Sequence, residues 1–389
     1  MNNSNFSVKQ ICILTFTGYY SPGYKGGGPI KTIKNLFDKA GKDISFKLIT
    51  SDRDLGDAAS YTSVKYGDWN TVGNAKVFYA QPTMSDNRHI IKILYERNYD
   101  IVYLNSFFSA RFSIFPLVIA KILGRKIILG PRGEFSSGAL SLRSLKKRIF
   151  IKLYKFLWLH RSTIFQASSE YEAEDIRKVL GAKVDIQVAE DIGTQEFTDF
   201  LPTKTSAILK VVFVSRISPM KNLLGALELL GNVCQPVLYH IYGPIEDHDY
   251  WAQCESVIAA LPLNIQVEYK GELRPEQVVK TISAYDLFFM PTKGENYGHV
   301  IAEALCAGLP LLIANTTPWR NLHKHGIGWD LPLNDPDAFS AVIDQLALKT
   351  PSEHQQLREK VLGWAKVKLS QRGAIEDNIA MFNYAYKKK

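Results

Sequence analysis

The sequence predicts an α/β protein built from two doubly wound, Rossmann-like domains. Two observations predict it. Short apolar, β-branched runs alternate with helix-like segments in two successive rounds along the 389 residues. Between the rounds lies DIGTQEFTDFLPTKTSA, polar and without periodicity, which reads as a linker. Alternation of this kind implies parallel sheets covered by helices on both faces.

The first round places strands at QICILTF, SFKLIT, AKVFYA, DIVYLN, RKIILG and STIFQA, with helices near 28–40, 87–98, 110–123, 141–160 and 170–180. The second places strands at LKVVFVSR, VLYHIYG, IQVEYKG, DLFFMP and PLLIAN, with helices near 221–231, 248–260, 275–284 and 299–308. From about residue 351 the chain reads as helix, with YKKK fraying at its end. A boundary near 195–208 gives an N-terminal domain over 1–200 and a C-terminal domain over 201–369. A last helix at about 370–389 is placed to pack back on the first domain. Two such domains are expected to face each other across a cleft, with ligands at the carboxyl ends of the strands.

The composition, 46% hydrophobic and 22% charged, is that of a folded chain with substantial cores. No apolar run reaches the roughly 18 residues of a membrane-spanning helix, and MNNSNFSVKQ lacks the apolar core of a signal peptide. Cys12, Cys234, Cys254 and Cys306 are scattered without CxxC spacing. The expectation is a cytoplasmic protein with reduced thiols and no zinc site. The glycosylation-type triplets at Asn2, Asn5 and Asn315 then carry no sugar. Charge is uneven: residues 1–195 hold 28 Lys and Arg against 17 Asp and Glu, a net +11, which leaves −2 of the total +9 for 196–389. A basic first half suits a phosphorylated ligand, anionic lipid or nucleic acid.

The richest stretch for chemistry is TKGENYGHVIAEALCAGLPLLIAN. A loop follows one buried strand and opens a short helix before the next, so backbone N–H groups and a helix dipole lie beside Glu295 and Glu303. N–H groups suit a diphosphate, and carboxylates accept hydrogen bonds from sugar or ribose hydroxyls. Gly294, Asn296, Tyr297 and Gly298 allow close backbone approach. The plainer alternative is a pair of solvated carboxylates near a helix start. In VVFVSRISPMKN, Arg216 and Lys221 stand at a strand-to-helix junction, where two cations suit a diphosphate or simply face solvent. GYYSPGYKGGGPIKTIKNL places Gly26, Gly27 and Gly28 before Pro29, a turn opening a helix that is neither GxGxxG nor a Walker loop. Arg132 and Glu134, in LGPRGEF at a strand's carboxyl end, are either acceptor contacts or a structural ion pair.

Residues 141–161 carry seven cations, Arg143, Lys146, Lys147, Arg148, Lys152, Lys155 and Arg161, and no acid. Leu142, Leu145, Ile149, Leu153 and Phe156 recur at helical spacing and read as the core face. Phe150, Tyr154, Leu157 and Trp158 are apolar beyond that stripe, so the segment is a candidate contact with an anionic membrane surface or a core helix with a cationic edge. The acidic triplets Asp52-Arg53-Asp54 and Asp247-His248-Asp249, and the pair His323 and His325, are not read as metal sites.

On KGGGPI, SRISPMKN and GENYGHVIAEALCAGLP, in that order along the chain, the chain resembles a family 4 glycosyltransferase of the GT-B fold over nearly its whole length. YGPIED and GELRPEQV sit where that family has a strand-end glycine, here Gly243, and a pre-helix loop. The resemblance implies transfer of a sugar from a nucleotide diphosphate sugar with retention of anomeric configuration, by same-face attack in which the leaving phosphate helps take the acceptor's proton. It implies an E-x7-E pair in which Glu295 binds hydroxyls of the transferred sugar and Glu303 the donor ribose. Asn296, Tyr297 and Gly298, with Arg216 and Lys221, would hold the diphosphate, and Gly27 and Gly28 would close over it from the other domain. No metal and no further cofactor is implied beyond the nucleotide sugar co-substrate. Many family members carry a histidine after the strand matching RKIILGP and an Asn-Gly or Asn-Pro between the domains. Here the segments read GPRGE and VAEDIGTQEF.

The expected function is therefore a hexosyltransferase that extends a lipid-linked glycan of a bacterial surface polysaccharide (lipopolysaccharide O-antigen, capsule or exopolysaccharide) at the inner membrane face. Two other classes stand beside it. One is a nucleotide-sugar isomerase or phosphorylase of the same fold. The other is a nucleic-acid-binding protein, disfavoured because no recognised motif or stacking platform accompanies the cations.

Overall fold

A computed structural model describes residues 10–141, 144–204 and 206–388. Asn2, Asn5, Leu142 and Arg143 lie outside the described residues, as does the last lysine of YKKK. The chain forms two compact units, one running to Ile192 and resuming at Arg372, the other Gly193–Gln371.

In the first unit the strands are β1 (Ile11–Phe16), β2 (Ile44–Ser51), β3 (Trp69–Val72), β4 (Ala75–Ala80), β5 (Ile101–Leu104), β6 (Lys126–Leu129), β7 (Thr163–Ala167) and β8 (Asp185–Val188). They form one sheet in the order β3-β4-β2-β1-β5-β6-β7-β8, parallel but for β3, with Ile13 paired to both Phe46 and Ile101. Successive residues of β1 feed opposite faces, Ile11 and Ile13 to one core and Leu14 and Phe16 to the other, as a two-residue period requires. The helices are α1 (Gly28–Lys39), α2 (Met84–Glu96), α3 (Phe115–Ile122), α4 (Ser137–Ser141), α5 (Ser144–Phe156) and α6 (Glu170–Leu180), with a π-helical turn at Ala110–Ile114 leading into α3.

The second unit has β9 (Leu209–Val214), β10 (Val237–Tyr242), β11 (Ile265–Tyr269), β12 (Leu287–Met290), β13 (Leu311–Ala314) and β14 (Gly328–Leu331), all parallel, in the order β11-β10-β9-β12-β13-β14. Its helices are α7 (Leu223–Leu230), α8 (His248–Ala259), α9 (Val278–Ile282), α10 (His299–Cys306), α11 (Leu322–His325), α12 (Pro336–Ala347) and α13 (Pro351–Leu369). Thr350 and Glu353 form a capping box that starts α13, with Pro351 in its first turn. Buried Arg358 of α13 donates to the carbonyls of Pro202, Ser283, Ala307 and Gly308, two of which end α9 and α10. A cation at helix carboxyl ends satisfies orphan acceptors and the dipole together.

The last helix, α14 (Gly373–Lys387), belongs to the first unit, where Met381, Phe382 and Ala385 join the core of Ile13 and Tyr103. Its end is held rather than frayed. Lys388 Nζ and Tyr384 Oη both donate to Asp185, and the Lys126 ammonium sits over the Tyr386 ring.

The structure differs from the sequence reading at several elements. β3, β8 and β14 are strands that the apolar runs do not announce. All three are edge strands, two bounding the first sheet and one the second, and are only partly buried. An edge strand packs one face at most, so it carries no continuous apolar run. The single helix expected near 141–160 is α4 and α5, and its burial is reversed. Tyr154 is buried against Phe107, with Phe150 beside it, whereas Leu145, Ile149, Leu153 and Phe156 are exposed. The helix carries two apolar stripes, and periodicity alone cannot say which of them the core takes.

Candidate functional site

In an open parallel sheet the crevice forms where two strands adjacent in space send their connections in opposite directions. In the second unit that point lies between β9 and β12, since β9 has β10 on one side and β12 on the other. The loops leaving both strands carry the candidate residues, and they are bonded to each other. Lys293 N and Thr292 Oγ1 donate to Met220 O at 2.9 and 3.1 Å, and Asn222 Nδ2 donates to Pro291 O at 2.8 Å. Asn222 reaches this place with a left-handed backbone, φ 58°, at the cap of α7.

Across this junction Lys221 Nζ meets Glu295 Oε1 at 2.5 Å, with both side chains largely buried. Arg216, at the carboxyl end of β9, pairs at 2.8 Å with Glu246 on the loop after β10, and this pair is solvent-accessible. The two cations thus sit on one strand-to-helix connection, and each carries a carboxylate. Glu246 was not a sequence candidate. Its signal is the acidic pair in YGPIED, in the loop that begins with Gly243.

Gly243 has a backbone reason to be glycine. Its φ is 136°, and a Cβ there would come within 1.9 Å of Ser215 O. The same close approach lets Ile217 N donate to Pro244 O and Glu246 N to Ile217 O, which zips together the loops after β9 and β10.

Gly298, φ 79°, caps α10, and its carbonyl accepts from Ile301 N and Ala302 N. Tyr297 is buried, its carbonyl takes the indole N–H of Trp319 at 2.5 Å, and its ring packs on Trp319 and His299. Trp319, on the loop after β13, is a brace that sequence reasoning missed. Only its position after the PLLIAN strand points to it. Thr316 Oγ1 from the same loop donates to Thr292 O at 2.6 Å. Asn296 stands between Glu295 and Tyr297 on this braced loop. Glu303 lies one turn inside α10, buried within a fully buried run, Ile301–Cys306. Glu295, Lys221, Asn296, Tyr297, Gly298 and Glu303 therefore belong to one loop-and-helix assembly, with Arg216 and Gly243 on the adjoining loops.

In the first unit the glycine loop follows β1. Gly27, φ 70°, caps α1 and accepts from Ile30 N and Lys31 N, with Gly28 and Pro29 opening the helix. Buried Asp54 holds the loop from behind. Its Oδ2 accepts from Tyr24 N at 2.7 Å and Lys25 N at 3.0 Å, and a Cβ on Gly23 would overlap Asp54 and Tyr61. Asp52 is bound by Arg53 and Ser60. Both aspartates of the DxD triplet thus serve the protein's own groups. Among the described residues no group of three or more His, Cys, Asp or Glu side chains is arranged to hold a metal.

Arg132 and Glu134 have internal partners, and not each other. Arg132, φ 57°, donates to Asn105, Tyr103 and Asp191, and its side chain is buried with that of Asp191. Glu134 accepts from Ser106 Oγ at 2.8 Å and from the amides of Phe107 and Phe108. Gly133 N between them donates to buried Glu172 at 2.7 Å. Burial pushes the carboxyls of Glu134 and Glu172 up, against the pull of these N–H donors. The turn after β6 is a knot of satisfied polar groups whose partners, Asn105, Glu172 and Asp191, lie far off in sequence.

Residues 202–362 match the family model of glycosyl transferases group 1. None of the curated proteins compared matches the chain. Solved structures match it over nearly its whole length. HepE of Anabaena in complex with UDP and glucose is 16% identical, with a TM-score of 0.68, and the match covers 96% of this chain and 99% of that one. Sucrose-phosphate synthase of Thermosynechococcus elongatus is 14% identical at a TM-score of 0.70, covering 97% and 99%. WaaG, a glycosyltransferase involved in lipopolysaccharide biosynthesis, is 13% identical at 0.66, covering 96% and 99%. The chain has the GT-B fold of these proteins, and the segment that matches the group 1 glycosyl transferase model lies within its second unit.

Proposed function

We propose that this protein is a retaining glycosyltransferase of family 4 that moves a sugar from a nucleotide diphosphate sugar to a glycan acceptor. The observation that carries the reading is the Lys221–Glu295 pair at the crevice between β9 and β12, inside the matched glycosyltransferase domain. Departure of a nucleoside diphosphate builds negative charge. Fixed cations and N–H dipoles stabilise that charge without reorganising during the reaction. In this reading Lys221, Arg216 and the amides from Asn296 to Gly298 hold the diphosphate. Glu295 accepts from hydroxyls of the transferred sugar, and Glu303 accepts from the donor ribose. The acceptor hydroxyl attacks the anomeric carbon on the face the diphosphate leaves, and a departing phosphate oxygen takes the proton. The HepE complex with UDP and glucose supports a nucleotide sugar as donor.

The proposed acceptor is a lipid-linked glycan in surface polysaccharide assembly, met at the cytoplasmic face of a membrane. WaaG's part in lipopolysaccharide biosynthesis supports this pathway class. No helix among the described residues is long and apolar enough to cross a membrane, so contact with one would be peripheral.

A thermal-shift screen of nucleoside diphosphates and their sugars tests the donor site. A ligand at one hundred times its dissociation constant stabilises the folded protein by about 2.7 kcal/mol. One nucleotide series is expected to raise the melting temperature of the wild type, and much less that of Glu303→Ala. Turnover is expected to persist in a chelator. No shift with any nucleotide, or an equal shift in the variant, would overturn the assignment.

A further inference from the structure

The chain passes from the first unit to the second across one peptide, between Ile192 and Gly193. Ile192 is fixed on the first side. Its side chain is buried in the core of Ile13 and Tyr103, and its carbonyl accepts from Asn35 Nδ2 of α1 at 2.8 Å. Gly193 lies on the second side, against Tyr297 of the loop before α10. A Cβ on Gly193 would stand 2.4 Å from Tyr297 Oη, 3.2 Å from its Cζ and 3.3 Å from its Cε1. The Gly193 backbone is outside the left-handed region, so this position requires space rather than a special φ.

Tyr297 has little room to yield. Its side chain is buried, Trp319 and His299 pack on its ring, and the Trp319 indole N–H holds its carbonyl. An ordinary contact of about 3.5 Å with an added methyl group would drive the hydroxyl back by about 1 Å. A phenol is rigid and passes that movement to its own backbone. The residues after Gly193 run along α10. The Cys306 thiol donates to Thr194 O at 4.0 Å, Thr198 N donates to Cys306 O at 3.0 Å, and Phe197 packs on the core of the second unit. A Cβ on Gly308, just past the end of α10, would come within 2.6 Å of Leu201. The segment entering the second unit thus lies on α10 from the loop that opens it to the turn that ends it, and this is the helix that carries Glu303.

We infer that Gly193 is a positioning residue for the loop that takes the diphosphate. By leaving its Cβ position to the Tyr297 phenol, it sets where the amides of Asn296, Tyr297 and Gly298 stand. It acts through Tyr297 and not by touching substrate. Its effect on turnover rests on the sugar transfer proposed above, whereas its packing role does not, so the two are measured separately.

The test is a cycle of Gly193→Ala, Tyr297→Phe and the double variant in the full chain. Tyr297→Phe removes the atom nearest the added Cβ and leaves the ring carbons at 3.2 and 3.3 Å, which a small shift relieves. Without ligand, the indole N–H resonance of Trp319 reports the loop, because its acceptor is Tyr297 O, and Trp319→Phe assigns it. That resonance is expected to move in Gly193→Ala and to return in the double variant to its place in Tyr297→Phe. Turnover is read with the UDP-, GDP- or ADP-sugar that the thermal-shift screen selects. Gly193→Ala is expected to lower kcat at saturating donor by roughly 10- to 100-fold, the scale of a misplacement of about 1 Å, and by less than about threefold in the Tyr297→Phe background. If Gly193→Ala loses melting temperature, the double variant should regain it, and a loss that is not regained refutes the inference. So does an indole resonance unmoved by Gly193→Ala, or moved equally in the Tyr297→Phe background, and so does wild-type turnover in Gly193→Ala. The expected indole cycle in a wild type without turnover would sink the sugar transfer and leave the packing role standing.

Discussion

Lys221 Nζ and Glu295 Oε1, 74 residues apart in sequence, lie 2.5 Å from each other, so the connections leaving β9 and β12 are joined by one largely buried ion pair. An ammonium has three donors, so Lys221 can keep Glu295 and still face a phosphate. The pairing therefore fixes the cation before any ligand arrives. Lys221→Ala is expected to lower kcat by about 10²–10³, the scale for removing one charge-stabilising donor. The measurement is turnover at saturating donor. A variant that loses melting temperature but keeps kcat would make the pair structural only.

Asp54 is expected to be a positioning residue for the glycine loop. Its carboxylate takes the amides of Tyr24, Lys25 and Leu55 while buried. Leaving those amides without an acceptor in Asp54→Ala should cost about 1–3 kcal/mol per buried group left unsatisfied. Denaturant unfolding reads the stability. Amide exchange at Tyr24 and Lys25 should accelerate relative to the sheet, and unchanged exchange there would refute the brace.

Asp191→Ala should be among the most damaging changes in the first unit. It strands Arg132, a buried guanidinium that the nearby carboxylate keeps charged. Breaking one partner of a buried pair costs about 3–5 kcal/mol. The double variant Asp191→Ala with Arg132→Met should recover part of that loss in chemical denaturation, since it removes the uncompensated charge. Equal destabilisation of single and double variants would contradict the account.

His354 should make stability fall in mild acid. Burial, and then Lys204, hold its imidazole below the ordinary value. Nε2 lies 2.8 Å from Leu346 O, and buried Nδ1 has no hydrogen-bond partner among the described residues, so a second ring proton would meet no acceptor. The unfolded chain thus binds the proton first as pH drops. The contribution is complete above about pH 6.5, the unperturbed histidine value, and is lost progressively as pH falls below it towards the folded value. The melting temperature of His354→Gln should vary less than the wild type's between about pH 7 and about pH 5, a window that spans the ordinary histidine value.

The α/β class with mainly parallel sheets could be read from the chain because strands buried on both faces are written as unbroken apolar runs, such as VVFV in β9 and LFFM in β12. The start of α10 was legible for a similar reason, since carboxylates and glycines stand within a few residues of it. Edge strands were not legible, because β3, β8 and β14 bury too little to leave a pattern.

What the sequence determined by itself was therefore local: which segments are strand or helix where burial is strong, and which residue types stand at each strand end. Only the tertiary structure decided partners. Strand order brought Lys221 to Glu295 and Arg216 to Glu246. It also turned Arg132 towards Asp191 and Glu134 towards the amides after β5, and it chose which of the two apolar stripes of α5 faces the core. The physical reason is that periodicity and spacing report a residue's direction relative to its own element. The neighbour it meets depends on how distant elements pack to bury the most apolar surface while leaving no polar group unpaired.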